Sequence, residues 1–186
     1  MNEVCLESSR VTEYTLRLHI FNKMELLGYT DYDGARSAAD RKSTSGCCFG
    51  LGSGMISWYC RKQTSVALNT AEAEYIAACG ASKEAVWLRK MLTGLFDQEL
   101  DVTVIHCDNQ SCIKLSENPV DHDRSPVKSH RHQIPNIRDM LRKGAVKLQY
   151  ISTEEHTTNI ITKRLSKVKF EYFRDKLGVV ENVSPH

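Results

Sequence analysis

The chain has 186 residues, 41% of them apolar and 26% charged, the composition of one soluble globular domain with a core of its own. Its formal net charge of +2 excludes a strongly basic protein, so any surface for a polyanion must be local. No apolar run reaches the ~20 residues that span a bilayer, no signal-peptide layout opens the chain, and the seven cysteines form no C-x-x-C pair, which together predict an intracellular protein with free thiols.

In chain order, residues 1–23 form a lead-in without a clear period, in which 11–21 reads as strand or frayed helix. The domain proper is predicted over 24–178, with 179–186 a frayed tail. A short apolar run at about 25–31, closed by Asp31 and Asp33, predicts a buried strand with a carboxylate at its end. Runs at 47–51 and 55–61, separated by Gly52-Ser53-Gly54, complete a three-stranded antiparallel meander. Thr70 reads as the N-cap of a long helix over 71–95, which Gly80 weakens or kinks. A second apolar strand at 102–108 ends in Asp108, and a strand after this helix implies a parallel crossover. A short helix at 110–115 follows. Residues 117–136 carry three prolines and no readable period. Helix 137–143, strand 146–151 and a closing helix over 159–177, capped by Gly178, end the pattern.

Two strand-end aspartates and a glutamate at a helix start suit a hard cation such as Mg²⁺, and two such ions can clamp a phosphodiester during hydrolysis. With 23 acidic residues in the chain, spacing alone leaves open that Asp31 and Asp108 cap loops and that Glu72 lies on a solvated face.

Several blocks then resemble one family. Gly28-Tyr-Thr-Asp-Tyr-Asp33, Asp40-Arg-Lys-Ser-Thr-Ser-Gly46, Ala71-Glu-Ala-Glu-Tyr-Ile-Ala77, Trp87-Leu-Arg-Lys90 and Cys107-Asp-Asn-Gln-Ser111 resemble the ribonuclease H domain of copia-type retrotransposon polyproteins. Gly144 to Glu155 and Phe170 to Val180 resemble the end of that domain in plant elements. The resemblance implies an α/β, ribonuclease H-like fold: a five-stranded mixed sheet, three antiparallel strands and then parallel strands, with helices on both faces. It implies cleavage of RNA in RNA–DNA hybrids by four acidic residues and a divalent metal, Mg²⁺ or Mn²⁺. Carried over by position, the acids are Asp31, Glu74 (with Glu72 the alternative) and Asp108. Glu72 and Glu74 cannot share one helix face, because neighbours two apart point ~200° apart.

The fourth acidic position is Asn159, within Glu155-His-Thr-Thr-Asn-Ile-Ile-Thr-Lys-Arg164. An amide oxygen lacks the carboxylate's charge, so the metal site is expected to be weakened and cleavage impaired or lost, unless Glu154 or Glu155 substitutes. His156 reads as a solvated loop histidine. The family's Trp-Ala-Gly after the first strand is Gly34-Ala-Arg36 here, and 125–136 is altered and two residues longer, as a compensated pair of reading-frame changes would leave it. That segment is basic (Arg124, Lys128, His130, Arg131 and His132, continuing to Arg138, Arg142 and Lys143) and suits phosphate contacts. Arg41, Lys42, Arg61 and Lys62 extend such a surface, with Asn109, Gln110 and Ser111 beside it. Residues 1–23 do not resemble the polymerase segment that precedes this domain in the family, which suggests either an excised domain or, the preferred reading, a free-standing protein derived from an element. The functional expectation is therefore a protein that binds RNA–DNA hybrid or other nucleic acid and has no membrane association. A non-catalytic scaffold that kept the fold is the reading from a different class.

Overall fold

The computed structural model describes residues 3–5, 14–19, 25–34, 41–117 and 137–181. Arg36 and the altered segment 125–136 lie outside them. A five-stranded sheet forms the centre, built from β3 (Leu26–Asp33), β4 (Thr44–Leu51), β5 (Gly54–Lys62), β6 (Thr103–Cys107) and β7 (Val146–Tyr150). Its order is β5-β4-β3-β6-β7. The meander β3–β4–β5 is antiparallel, while β6 runs parallel to β3 and β7 parallel to β6. The hairpin turn at Gly52-Ser53 has positive φ at Gly52 alone, the arrangement of a type II′ turn.

Helices cover both faces of this sheet. On one face lies α1 (Thr70–Phe96), with α2 (Gln110–Glu117) and α3 (Ile137–Arg142) beside it. Its buried positions are mostly small, Ala73, Ala77, Ala78, Ala81 and Ala85, then Leu88 and Leu92. That stripe lets the helix lie close over Cys47, Phe49, Ile105 and Cys107. Gly80 does not break the helix: a Cβ there would stand 2.6 Å from the Tyr59 hydroxyl, so glycine leaves room for that side chain against α1. The N-cap is Asn69 rather than Thr70, its side chain accepting from the Glu72 N–H. At the far end Arg89 binds the carbonyls of Leu100 (2.8 Å) and Asp101, tying the helix to the chain entering β6.

On the other face the expected closing helix is two helices, α4 (Asn159–Thr162) and α5 (Lys167–Lys176). Lys163 at the break is extended, and Ser166 caps α5. Gly178 has positive φ just beyond α5, as a glycine C-cap requires. Val179–Glu181, expected to fray, form β8 and pair antiparallel with β2 (Tyr14–His19), which also pairs with β1 (Glu3–Cys5). Cys47, Cys48, Cys79, Cys107 and Cys112 are buried free thiols, while Cys60 is exposed.

Two glycines give opposite expectations. A Cβ at Gly46 would stand 2.3 Å from the Thr162 side chain, so Gly46→Ala should destabilise by ~1–3 kcal/mol. Gly94, in α1 with nothing within 4 Å, should gain ~0.4–1 kcal/mol as alanine. Urea unfolding of the two variants checks both signs.

Candidate active site

The site lies where β3 and β6 end side by side. Asp31 opposes Gly46 across the antiparallel pair, so its side chain points to the α4 side of the sheet edge. Asp108 follows β6 directly. Glu74 comes from the first turns of α1 on the opposite face. One carboxylate oxygen from each of these three residues lies within 4.8 Å of the other two. Asp31 and Glu74 are each 1% exposed, and Asp108 is partly exposed.

Glu72 does not join them. Its Oε2 accepts from the Leu68 N–H at 2.6 Å while its own N–H donates to Asn69, so it closes the start of α1 one residue further back than a capping box would. The i, i+2 spacing thus sends one glutamate to the helix cap and the other to the acidic cluster. Neither Glu154 nor Glu155 belongs to the cluster among the described residues, and both are exposed.

The carboxylates are held individually. Asp108 Oδ2 accepts from the Thr153 hydroxyl at 2.8 Å. Asp31 Oδ2 accepts from the Thr162 hydroxyl at 2.5 Å and Oδ1 from the Lys163 ammonium at 3.2 Å. Asn159, 5% exposed, is committed at both ends of its amide: Nδ2 donates to the Thr153 carbonyl at 2.6 Å, and Oδ1 accepts from Lys163 at 2.8 Å. Burial, then the neighbouring Cys107, Asp108 and Asp31, push the Glu74 carboxyl up to about 11. The Cys107 thiol lies 4.0 Å from its Oε2.

His156 is not solvated. It is fully buried beside Tyr29, their ring centroids 6.1 Å apart, and its Nδ1 contacts the Thr158 hydroxyl. Burial lowers its pKa, against the pull of Asp31 and Asp108. The residues expected on a phosphate-contacting surface fall at one end of the sheet: Lys62 pairs with Thr44, itself paired with Asp33, and Ser45 pairs with Arg61. Arg41 is exposed with φ of 50°, and Arg61 stacks over Tyr59 at 4.5 Å. Asn109 is a cap, its Oδ1 accepting from the Cys112 N–H, while Gln110 and Ser111 are exposed on the first turn of α2. Thr162 and Lys163, which orient Asp31, are not among the predicted site residues, because their contacts with Asp31 are made across 131 and 132 residues of chain and leave no local sign.

The donors suit a hard divalent cation, being all carboxylate oxygens in a small volume. Burial first, and then the neighbouring acidic groups, raise the Glu74 pKa, and a bound cation would favour its ionised form.

No protein-family model matches the chain. It is 40% identical over 159 residues to the retrovirus-related Pol polyprotein from transposon TNT 1-94 of Nicotiana tabacum, which covers 84% of this chain and 12% of the relative. It is 36% identical over 160 residues to the Pol polyprotein from transposon RE2 of Arabidopsis thaliana, covering 86% of this chain and 11% of the relative. The chain therefore spans only about an eighth of the length of these relatives. Among solved structures, a prototype foamy virus protease–reverse transcriptase superposes with a TM-score of 0.53 at 14% identity, over 82% of this chain and 21% of that one. LC11-RNase H1 in complex with RNA/DNA hybrid gives 0.48 at 15% identity, over 71% and 88%. The strand order and helix placement define a ribonuclease H-like domain. Plant retrovirus-related Pol polyproteins of copia-type transposons are homologues of this chain, a segment of each matching about 85% of its length.

The raised Glu74 pKa makes a signed prediction for the metal-free protein. The folded state keeps this proton while the unfolded glutamate loses it near its ordinary value of 4.5. The stability linked to it is therefore complete below about pH 4.5 and is lost as pH rises toward 11. In EDTA, Tm should fall between pH 5 and pH 9, and Glu74→Gln should flatten that fall.

Proposed function

We propose that this chain is a nucleic-acid-binding ribonuclease H-like domain in which Asp31, Glu74 and Asp108 hold a divalent cation, Mg²⁺ or Mn²⁺. Its cleavage of RNA–DNA hybrid is impaired because position 159 is asparagine. The supporting observation is the convergence of three carboxylates within 4.8 Å beside an amide bonded at both ends, to Thr153 and Lys163. A bound divalent cation would polarise a phosphate oxygen and lower the pKa of water.

The chain's own side chains do the positioning. Thr162 and Lys163 fix both oxygens of Asp31, and Thr153 fixes Asp108. Burial keeps Glu74 from turning to solvent. Asn159 brings an oxygen but no charge, and that oxygen faces an ammonium rather than the carboxylate cluster. Arg41, Lys42, Arg61 and Lys62 lie at the same end of the sheet, where they would follow the phosphates of a bound duplex. No helix among the described residues is long and apolar enough to cross a membrane.

A labelled RNA–DNA hybrid incubated with Mg²⁺ or Mn²⁺ tests this reading. Asn159→Asp should cleave ~10²–10³-fold faster than the wild-type chain, the change expected for ~3–4 kcal/mol of transition-state stabilisation. Asp108→Asn should be silent. Wild-type cleavage at the rate of Asn159→Asp would refute the impairment. Undiminished cleavage by Asp108→Asn would refute the site.

A further inference from the structure

The side chain of Lys163 is set where a cation is wanted. It lies at the break between α4 and α5, 29% exposed, and reaches back over α4 to the acidic cluster. Its ammonium bridges Asp31 Oδ1 at 3.2 Å and Asn159 Oδ1 at 2.8 Å. The two partners come from opposite ends of the chain, and Asp31 is 1% exposed, so this is no surface pair. The Asn159 amide is turned to serve it: Nδ2 is spent on the Thr153 carbonyl, which leaves Oδ1 facing the ammonium. Thr162, one residue earlier, takes the other oxygen of Asp31, so the α4 end grips that carboxylate from both sides.

Charge counting leads the same way. Ionised Asp31, Glu74 and Asp108 carry three negative charges, and Lys163 offsets one. The remaining two match one divalent ion. Four carboxylates would leave three, enough to attract a second ion.

We propose that Lys163 is a tethered cation of this cluster, bridging Asp31 and Asn159 in the place of a second divalent ion, so that the cluster binds one ion and not two. This rests on the acidic site described above. It gives the Asn159 substitution a second consequence: besides removing a ligand charge, it leaves the ammonium an oxygen acceptor with which no divalent ion competes strongly. Lys163 is a positioning residue here. It sets how many ions the site holds and where Asp31 points, without touching a reacting atom.

Titration calorimetry with Mn²⁺ on the full chain, without nucleic acid, tests the proposal. The wild-type chain should bind one ion at the cluster, and Lys163→Gln combined with Asn159→Asp should bind two. Lys163→Gln alone should bind the first ion at least about tenfold more tightly, because a positive charge beside Asp31 has gone. It should also lower Tm in EDTA, because buried Asp31 loses its partner, and Mn²⁺ should raise its Tm by more than that of the wild type. Two ions on the wild-type chain, or weaker binding to Lys163→Gln, would overturn the proposal. If the double variant does not fold, the wild-type stoichiometry and the single variant still decide. Asp108→Asn separates the two levels: undiminished Mn²⁺ binding there sinks the acidic site itself, whereas lost binding alongside a two-ion wild type sinks only the role of Lys163.

Discussion

Three carboxylates held within 4.8 Å of one another, two of them almost wholly buried, repel each other, and the rest of this structure has to contain that repulsion. The sheet brings Asp31 and Asp108 together because β3 and β6 are parallel neighbours that end at the same edge. Glu74 reaches them only because α1 lies close over the sheet, over alanines on its own side and Gly28 in β3. A Cβ at Gly28 would stand 2.5 Å from the Phe49 ring. Close packing of small residues thus serves a charged site as well as an apolar core.

The α4 segment answers the repulsion from the other face. Thr162 and Lys163 bind Asp31, and Asn159 accepts from the same lysine. Gly46 makes room for this arm, since a side chain there would strike Thr162. Without metal, a proton on Glu74 and the ammonium of Lys163 offset part of the cluster's charge. The fold thus contains its buried charge with groups of its own.

Much of this was legible in the residues. The alternation and acidic ends of the two strands, the Gly-containing hairpin and the long alanine-rich helix are local signals, and the structure follows them. The choice between Glu72 and Glu74 rested on resemblance, and geometry now separates them: one caps the helix, the other enters the cluster. What escaped was long-range. Nothing local in 14–19 or 179–181 announces that these strands pair with each other. His156 follows polar turn residues and reads as solvated, yet the packing of α4 against Tyr29 buries it completely. The closing helix reads as continuous because Arg164, Leu165 and Lys167 are all good helix formers. Its break is fixed by tertiary contacts, with Lys163 drawn toward Asp31 and Ser166 able to cap a new start.

The central claim, that Asp31, Glu74 and Asp108 form one cation site with a lysine where a second ion would sit, is most directly tested by crystals grown with Mn²⁺. An anomalous difference map should show a single peak ligated by those three carboxylates, with the Lys163 ammonium still between Asp31 and Asn159. Absence of a peak at saturating Mn²⁺, or two peaks with Lys163 displaced to solvent, would contradict the account.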